Sequence, residues 1–262
     1  MPDLARNWRG LLIGNLSRVR ATVFLLTATF PLLPFPASAQ GSGSGFLFEQ
    51  PRIQLGVHGG YTLARAGGPV LDFARNELTL NKRDFDASSW GLGLAVRTSE
   101  RVDIAFDVRF SRSEVRSEMR DWVDLDNLPI EQTTTFVRVP MTVSTKFYPR
   151  GRGRAISQFA WIPEKWAPFV GVGGGLLWYQ FKQKGDFVDL ATLDVVNFTL
   201  ESSGGTATGH VFAGLDISIG PRFLWTVEGR YAFAGATTGS AFNFDNLDLS
   251  GFQATIGLSA RF

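Results

Sequence analysis

The chain has 262 residues, no cysteine, 29 glycines and 23 phenylalanines; 44% of its residues are hydrophobic and 19% charged. Without cysteine there is no disulfide framework, no thiolate metal site and no thiol nucleophile. The hydrophobic content is too high for a disordered chain, and no apolar run reaches the roughly 18 residues that a membrane-spanning helix needs.

Residues 1–39 read as a secretory signal peptide. Arg6, Arg9, Arg18 and Arg20 form a positive n-region, an apolar stretch runs over 21–30, and Pro31, Pro34 and Pro36 break it. Ala37-Ser38-Ala39 then offers a small-residue cleavage site, so processing is expected between Ala39 and Gln40. The segment holds four of the 26 Lys+Arg and one of the 24 Asp+Glu, which leaves 22 against 23 and a net charge of −1. The basic balance of the whole chain therefore belongs to the leader, and no nucleic-acid partner is expected. Residues 40–50, rich in Gly and Ser, read as a flexible leader.

From residue 51 onward apolar residues recur at every second position, which is the period of a strand. The first block places Ile53, Leu55, Val57, Tyr61 and Leu63 on one face and Gln54, His58 and Thr62 on the other. The second sets Trp90, Leu92, Leu94 and Val96 against Gly91, Gly93 and Arg97. The third sets Ile104, Phe106, Val108 and Phe110 against Asp103, Asp107, Arg109 and Ser111. The fourth sets Val139, Met141, Val143 and Phe147 against Arg138, Thr142, Ser144 and Lys146. The fifth, over 169–179, opposes Val170, Val172, Leu176 and Trp178 to Phe169, Gly171, Gly173, Gly175 and Tyr179. The sixth opposes Val211, Leu215 and Ile217 to Thr208, His210, Phe212 and Asp216. The seventh opposes Phe223, Trp225, Val227, Tyr231 and Phe233 to Thr226, Glu228 and Arg230. The eighth opposes Phe252, Ile256, Leu258 and Phe262 to Gln253, Thr255, Ser259 and Arg261.

Eight strands near the ~9–11 residues of a tilted transmembrane strand, joined by alternating short and long connections, predict an all-β, eight-stranded antiparallel up-and-down transmembrane β-barrel over 51–262. Residues 98–101 and 219–221 are tight turns. Residues 65–88, 112–134, 182–205 and 235–249 read as long polar loops, and the 149–166 connection is long on the short-turn side. Pro140 cannot donate to a ladder, so a bulge or locally open pairing is expected there.

Three stretches carry a resemblance. Leu258-Ser-Ala-Arg-Phe262 resembles the C-terminal signature of bacterial outer-membrane barrels. Residues 137–147, with a central Pro and a later Lys, and the Gly-rich stretch over 168–175 are similar to strands of the outer membrane protein beta-barrel domain family, which includes the small OmpA- and OmpW-like barrels. With the strand pattern, the resemblance covers about 51–262. It implies export to a Gram-negative-type outer membrane, surroundings of lipopolysaccharide, long loops facing outward, and Phe262 as a signal for the barrel-assembly machinery. It says almost nothing of activity.

An eight-stranded barrel has an interior just wide enough for side chains to fill. The residues expected to share it are Asp103, Asp107, Arg109, Arg138, Lys146, Glu228, Arg230, His58 and His210, together with Arg97, Asp216 and Arg261. Charges there must be paired or hydrated. A side-chain plug is the expectation, and a narrow pore for ions or small solutes its rival; inward glycines leave room for either. A lipid-A-modifying barrel enzyme is a second rival, but neither histidine stands beside a serine in a recognisable motif, and no catalytic, cofactor or metal set is expected. The loops read as a binding surface of unknown ligand. Residues 112–132 carry three Arg against six acids, and Asp121–Asp126 lacks the Gly and distal Glu of a calcium loop. The 149–166 connection is basic, with Arg150, Arg152, Arg154 and Lys165, and suits anionic headgroups or peptidoglycan.

Overall fold

The computed structural model describes residues 45–124, 126–157, 159–188, 194–239 and 246–262. The expected signal peptide and its Ala39–Gln40 junction lie outside the described residues, as do Phe242 and Phe244 of the last long connection.

Eleven strands are present among the described residues: β1 (Ile53–Ala64), β2 (Ala87–Arg97), β3 (Val102–Val123), β4 (Pro129–Phe147), β5 (Gly153–Ser157), β6 (Ala160–Pro163), β7 (Trp166–Val188), β8 (Val195–Ser218), β9 (Phe223–Thr237), β10 (Asn246–Asp248) and β11 (Gly251–Arg261). Eight of them close a ring, in the order β9–β11–β1–β2–β3–β4–β7–β8 and back to β9. The register pairs Val57 with Leu258, Gly93 with Asp107, Asp103 with Lys146 and Glu228 with Gly214. Closure removes every free edge from the ring. The period-two reading holds on all eight strands: Leu55, Trp90, Val108, Val143, Leu176, Val211, Val227 and Ile256 are exposed, while Gln54, Arg109, Ser144, Glu228 and Thr255 are buried. An outer wall of exposed apolar side chains is stable only in an apolar solvent, so the ring is built to span a bilayer.

The connections depart from expectation. Residues 112–134 and 182–205 are not loops for most of their length. β3 and β4 stay paired from Ser111↔Arg138 to Glu118↔Glu131, and β7 follows β4 out to Gln132↔Gly185. Both faces of these extensions are largely polar, as in Arg112-Ser-Glu-Val-Arg-Ser-Glu118, so alternation has no contrast to show. The extended hairpins form a turret beyond one end of the barrel.

Residues 65–88 also hold regular structure. Helix α1 (Pro69–Glu77) begins with Pro at its first turn, where the missing N–H costs nothing, and a 3-10 turn follows at Lys82–Phe85. The Asp84 carboxylate accepts from the Asn81 backbone N–H and fixes that turn.

At the other end, the turn end, residues 149–166 fold into a β5–β6 hairpin rather than an open connection. The leader is not wholly flexible either. Leu47 is buried and exchanges two 2.8 Å backbone hydrogen bonds with Trp161 of that hairpin. Pro140 causes no bulge. The β3–β4 register is the same before and after it, but the ladder is open where Val139 and Pro140 face β3, while pairing to β7 continues through Pro140↔Leu177. The missing N–H is absorbed by leaving two rungs of one ladder unmade.

Candidate functional site

The barrel interior collects most of the chain's buried charge. Asp107 and Arg109 sit two residues apart on β3, and Glu228 and Arg230 two apart on β9, so each pair projects inward. Three strands separate β3 from β9 around the wall, so contacts between the pairs cross the lumen. Arg109 donates from Nε to Asp107 Oδ1 (2.5 Å), from Nη1 to Gln253 Oε1 (3.1 Å) and from Nη2 to Glu228 Oε1 (2.8 Å). Arg230 donates from Nε to the same Glu228 oxygen at 3.0 Å and lies 3.5 Å from Asp107 Oδ1. Gln253 passes the network on to the Thr62 hydroxyl, 2.9 Å away. Lys146 Nζ approaches Glu228 Oε2 at 3.9 Å and lies 4.4 Å from the centre of the Phe169 ring. His58 Nε2 lies 3.5 Å from Asp107 Oδ2 without a hydrogen bond. Gly91 makes this crossing possible, because a Cβ there would sit 2.5 Å from His58 Nε2 and 2.9 Å from Arg109 Cγ.

Six of the nine expected lumen residues thus form one network: Asp107, Arg109, Lys146, Glu228, Arg230 and His58. The other three lie elsewhere. Asp103, fully buried, accepts from Arg152 Nη1 at 2.6 Å. His210 meets Ser144, Nε2 to Oγ, at 2.8 Å. Arg138 reaches no carboxylate. It lies 4.9 Å over the Phe136 ring, bonds the Phe85 carbonyl at 3.4 Å, and leaves its Nε without a partner. It stands nearer the turret, beneath the residue-65–88 segment, which neither the spacing nor the alternation of β4 could foretell.

Apolar packing closes the lumen above and below the charges. At the turret end α1 buries Val70, Leu71 and Ala74 against Phe136, Leu177, Tyr179, Phe181 and Leu247, with Leu80 and Phe85 from the segment after the helix. Phe136 stands edge-on to both Phe85 and Phe181. At the turn end Tyr148, Ala167, Phe169 and Phe212 form a second cluster. Below it, the Tyr148 hydroxyl donates to Asp216 Oδ2 (2.9 Å) and the Thr226 hydroxyl to Asp216 Oδ1 (2.6 Å). The Arg152–Asp103 pair and Arg261, stacked 5.8 Å over Trp161, tie the β5–β6 hairpin to the barrel mouth. Burial in this cluster beside Asp216 pushes the Tyr148 phenol well above its ordinary pKa, so it remains a donor.

Sequence reasoning missed Tyr148, and it named Arg152, Ser144 and Gln253 without the partners that bring them into the site. Arg152 looks like any solvated turn cation, and only the fold of its hairpin sends it inward. The other three belong to inward or strand-end positions, but their partners lie on strands remote in sequence.

A closed antiparallel ring of eight strands, apolar outside and ion-paired inside, with an apolar cluster at each end, defines a transmembrane β-barrel. No family model and no curated protein matches the chain. Among solved structures it is similar to Neisserial surface protein A (10% identity, covering 84% of this chain and 100% of that one, TM-score 0.41). It is also similar to the N-terminal β-barrel domain of Pseudomonas aeruginosa OprF (11%, 81% and 98%, TM-score 0.34). A third similar structure is the E. coli outer membrane protein W (15%, 82% and 99%, TM-score 0.37). The assignment of the fold rests on the closed strand ring and its two faces.

Proposed function

We propose that the protein is a non-enzymatic, non-conducting integral protein of a Gram-negative-type outer membrane, surrounded by lipopolysaccharide, that presents the turret outward as a binding platform. The observation that carries this reading is the filling of the lumen: an apolar cap, a crossed ion-pair network and an aromatic cluster succeed one another along it. The cap helix packs among the extended hairpins, which stiffens the turret as a recognition surface would require. The turret carries the acidic β3–β4 extension and the stacked pair Phe187–Phe198, with ring centres 4.5 Å apart. On this reading the β5–β6 hairpin faces the periplasm, and Phe262 serves the barrel-assembly machinery. Planar-bilayer recording of the refolded protein tests the proposal; no discrete conductance steps are expected, and stable ion-selective steps would replace the plug by a pore.

One observation favours a lipid-modifying enzyme instead, the 2.8 Å contact of Ser144 and His210. Against it, among the described residues no carboxylate orients His210, and both groups are buried below the cap. Mass spectrometry of lipid A from cells with the wild-type protein and with Ser144→Ala decides: identical lipid A supports the binding platform, and a modification lost in the variant overturns it.

A further inference from the structure

The buried charges of the lumen do not balance. Among the described residues, the central network sets three cations, Arg109, Lys146 and Arg230, against two carboxylates, Asp107 and Glu228. Both guanidiniums of this network hold its carboxylates by hydrogen bonds: Arg109 and Arg230 each donate to Asp107 and to Glu228. Lys146 is the cation left over. Its ammonium forms no hydrogen bond, and its nearest carboxylate oxygen, 3.9 Å away on Glu228, belongs to a group already bonded to two arginines. A buried ammonium without hydrogen bonds, whose nearest carboxylate is shared with two arginines, is costly.

Beside it lies a cavity of about 60 Å³. Lys146, Arg109, Arg230 and His58 line it together with the carboxylates Asp107 and Glu228, the hydroxyl-bearing Thr226, Thr255 and Ser259, and apolar residues such as Val57 and Phe106. That is room for an ion of about the size of a water molecule together with a water. The lining is donor-rich, it carries a surplus positive charge, and it is too small for a polyatomic ligand of any length.

We infer that this cavity is a binding site for a small monovalent anion of the halide class, held by Lys146 and completing the charge balance of the plug. The inference rests on the closed lumen proposed above, but conductance tests that reading and halide dependence tests this one. The full chain is refolded in detergent micelles and unfolded in urea at constant ionic strength, with sodium gluconate exchanged for sodium chloride. Above the dissociation constant, the folded-to-unfolded ratio rises tenfold for each tenfold rise in chloride. In Lys146→Gln, which removes the surplus charge, the ratio no longer depends on chloride. Should that variant not refold, bromide decides with the wild-type protein: crystals grown in sodium bromide show an anomalous peak within hydrogen-bonding reach of Lys146 Nζ. A wild-type stability indifferent to chloride, a chloride slope that survives Lys146→Gln, or bromide peaks confined to the protein surface would overturn the inference.

Discussion

Glu228 is the residue on which the lumen network turns, and Glu228→Gln tests it with little change of shape. The carboxylate accepts from Arg109 at 2.8 Å and from Arg230 at 3.0 Å. At 2.8 Å and an effective dielectric of 20, the gross attraction of one such pair is about 6 kcal/mol. Both side chains are about 95% buried, at 3% and 5% exposure, so water screens little of it. The amide retains one acceptor oxygen but no charge. It leaves Arg109, Arg230 and Lys146 facing Asp107 alone. Stranding a buried charge in this way costs about 3–5 kcal/mol. At a urea slope of about 2 kcal/mol per molar, the unfolding midpoint falls by roughly 2 M. Tryptophan fluorescence of protein refolded in lipid vesicles reads that midpoint, and the heat-shifted gel mobility reports whether the barrel is closed. The double variant Glu228→Gln, Arg230→Met removes one charge of each sign, so it should lose less than Glu228→Gln alone. An unchanged midpoint in Glu228→Gln would mean that water already solvates these charges, and the filled lumen would have to be abandoned.

The same physics predicts an opposite sign at Arg138, which is 4% exposed and touches no carboxylate; Arg138→Met should leave the urea midpoint unchanged or raise stability by up to about 4 kcal/mol. Leu71 is fully buried in the cap, and Leu71→Ala should cost about 2–5 kcal/mol there; limited proteolysis should then cut within residues 65–86 while the barrel keeps its heat-shifted mobility. Arg152→Ala strands Asp103 and frees the β5–β6 hairpin, which amide hydrogen exchange over 153–163 should report as lost protection. Phe262 holds the β1–β11 seam through three backbone hydrogen bonds, from Arg52 N and Ile53 N to its carbonyl and from its own N to the Ile53 carbonyl; deleting it should lower the yield of membrane-inserted protein without lowering export, as fractionated cells will show.

Where a strand has lipid on one side and charge on the other, composition alternates and the face of each residue can be read directly: all eight ring strands are legible in this way, down to the inward direction of Asp107, Arg109, Glu228 and Arg230. Where a strand leaves the membrane the contrast vanishes, so the extensions of β3, β4, β7 and β8 pass for polar loops. The cap escapes for a related reason. Val70, Leu71 and Ala74 make a short apolar stripe on a nine-residue helix, too little to stand out, and what it covers is supplied by Phe136, Tyr179 and Phe181 from strands far away in sequence.

The site shows the same division. Alternation says that a side chain enters the lumen; it does not say at what height or opposite whom. Height and partner come from the register, and the register brings Ser144 of β4 level with Gly173 of β7. A Cβ on Gly173 would stand 2.5 Å from Ser144 Oγ and 2.7 Å from His210 Nε2. The glycine is therefore the reason that two residues 66 apart, on strands that are not neighbours, share a hydrogen bond. The inward glycines are gaps in the wall through which one strand's side chains reach past the next, and the lumen's contacts are assembled across those gaps. A barrel of this width closes its interior by pairing small inward residues on one strand with long charged ones on another. The excess of cations around Lys146 follows from that packing: among the described residues, Asp107 and Glu228 are the two carboxylates lining the 60 Å³ cavity, against Arg109, Arg230 and Lys146.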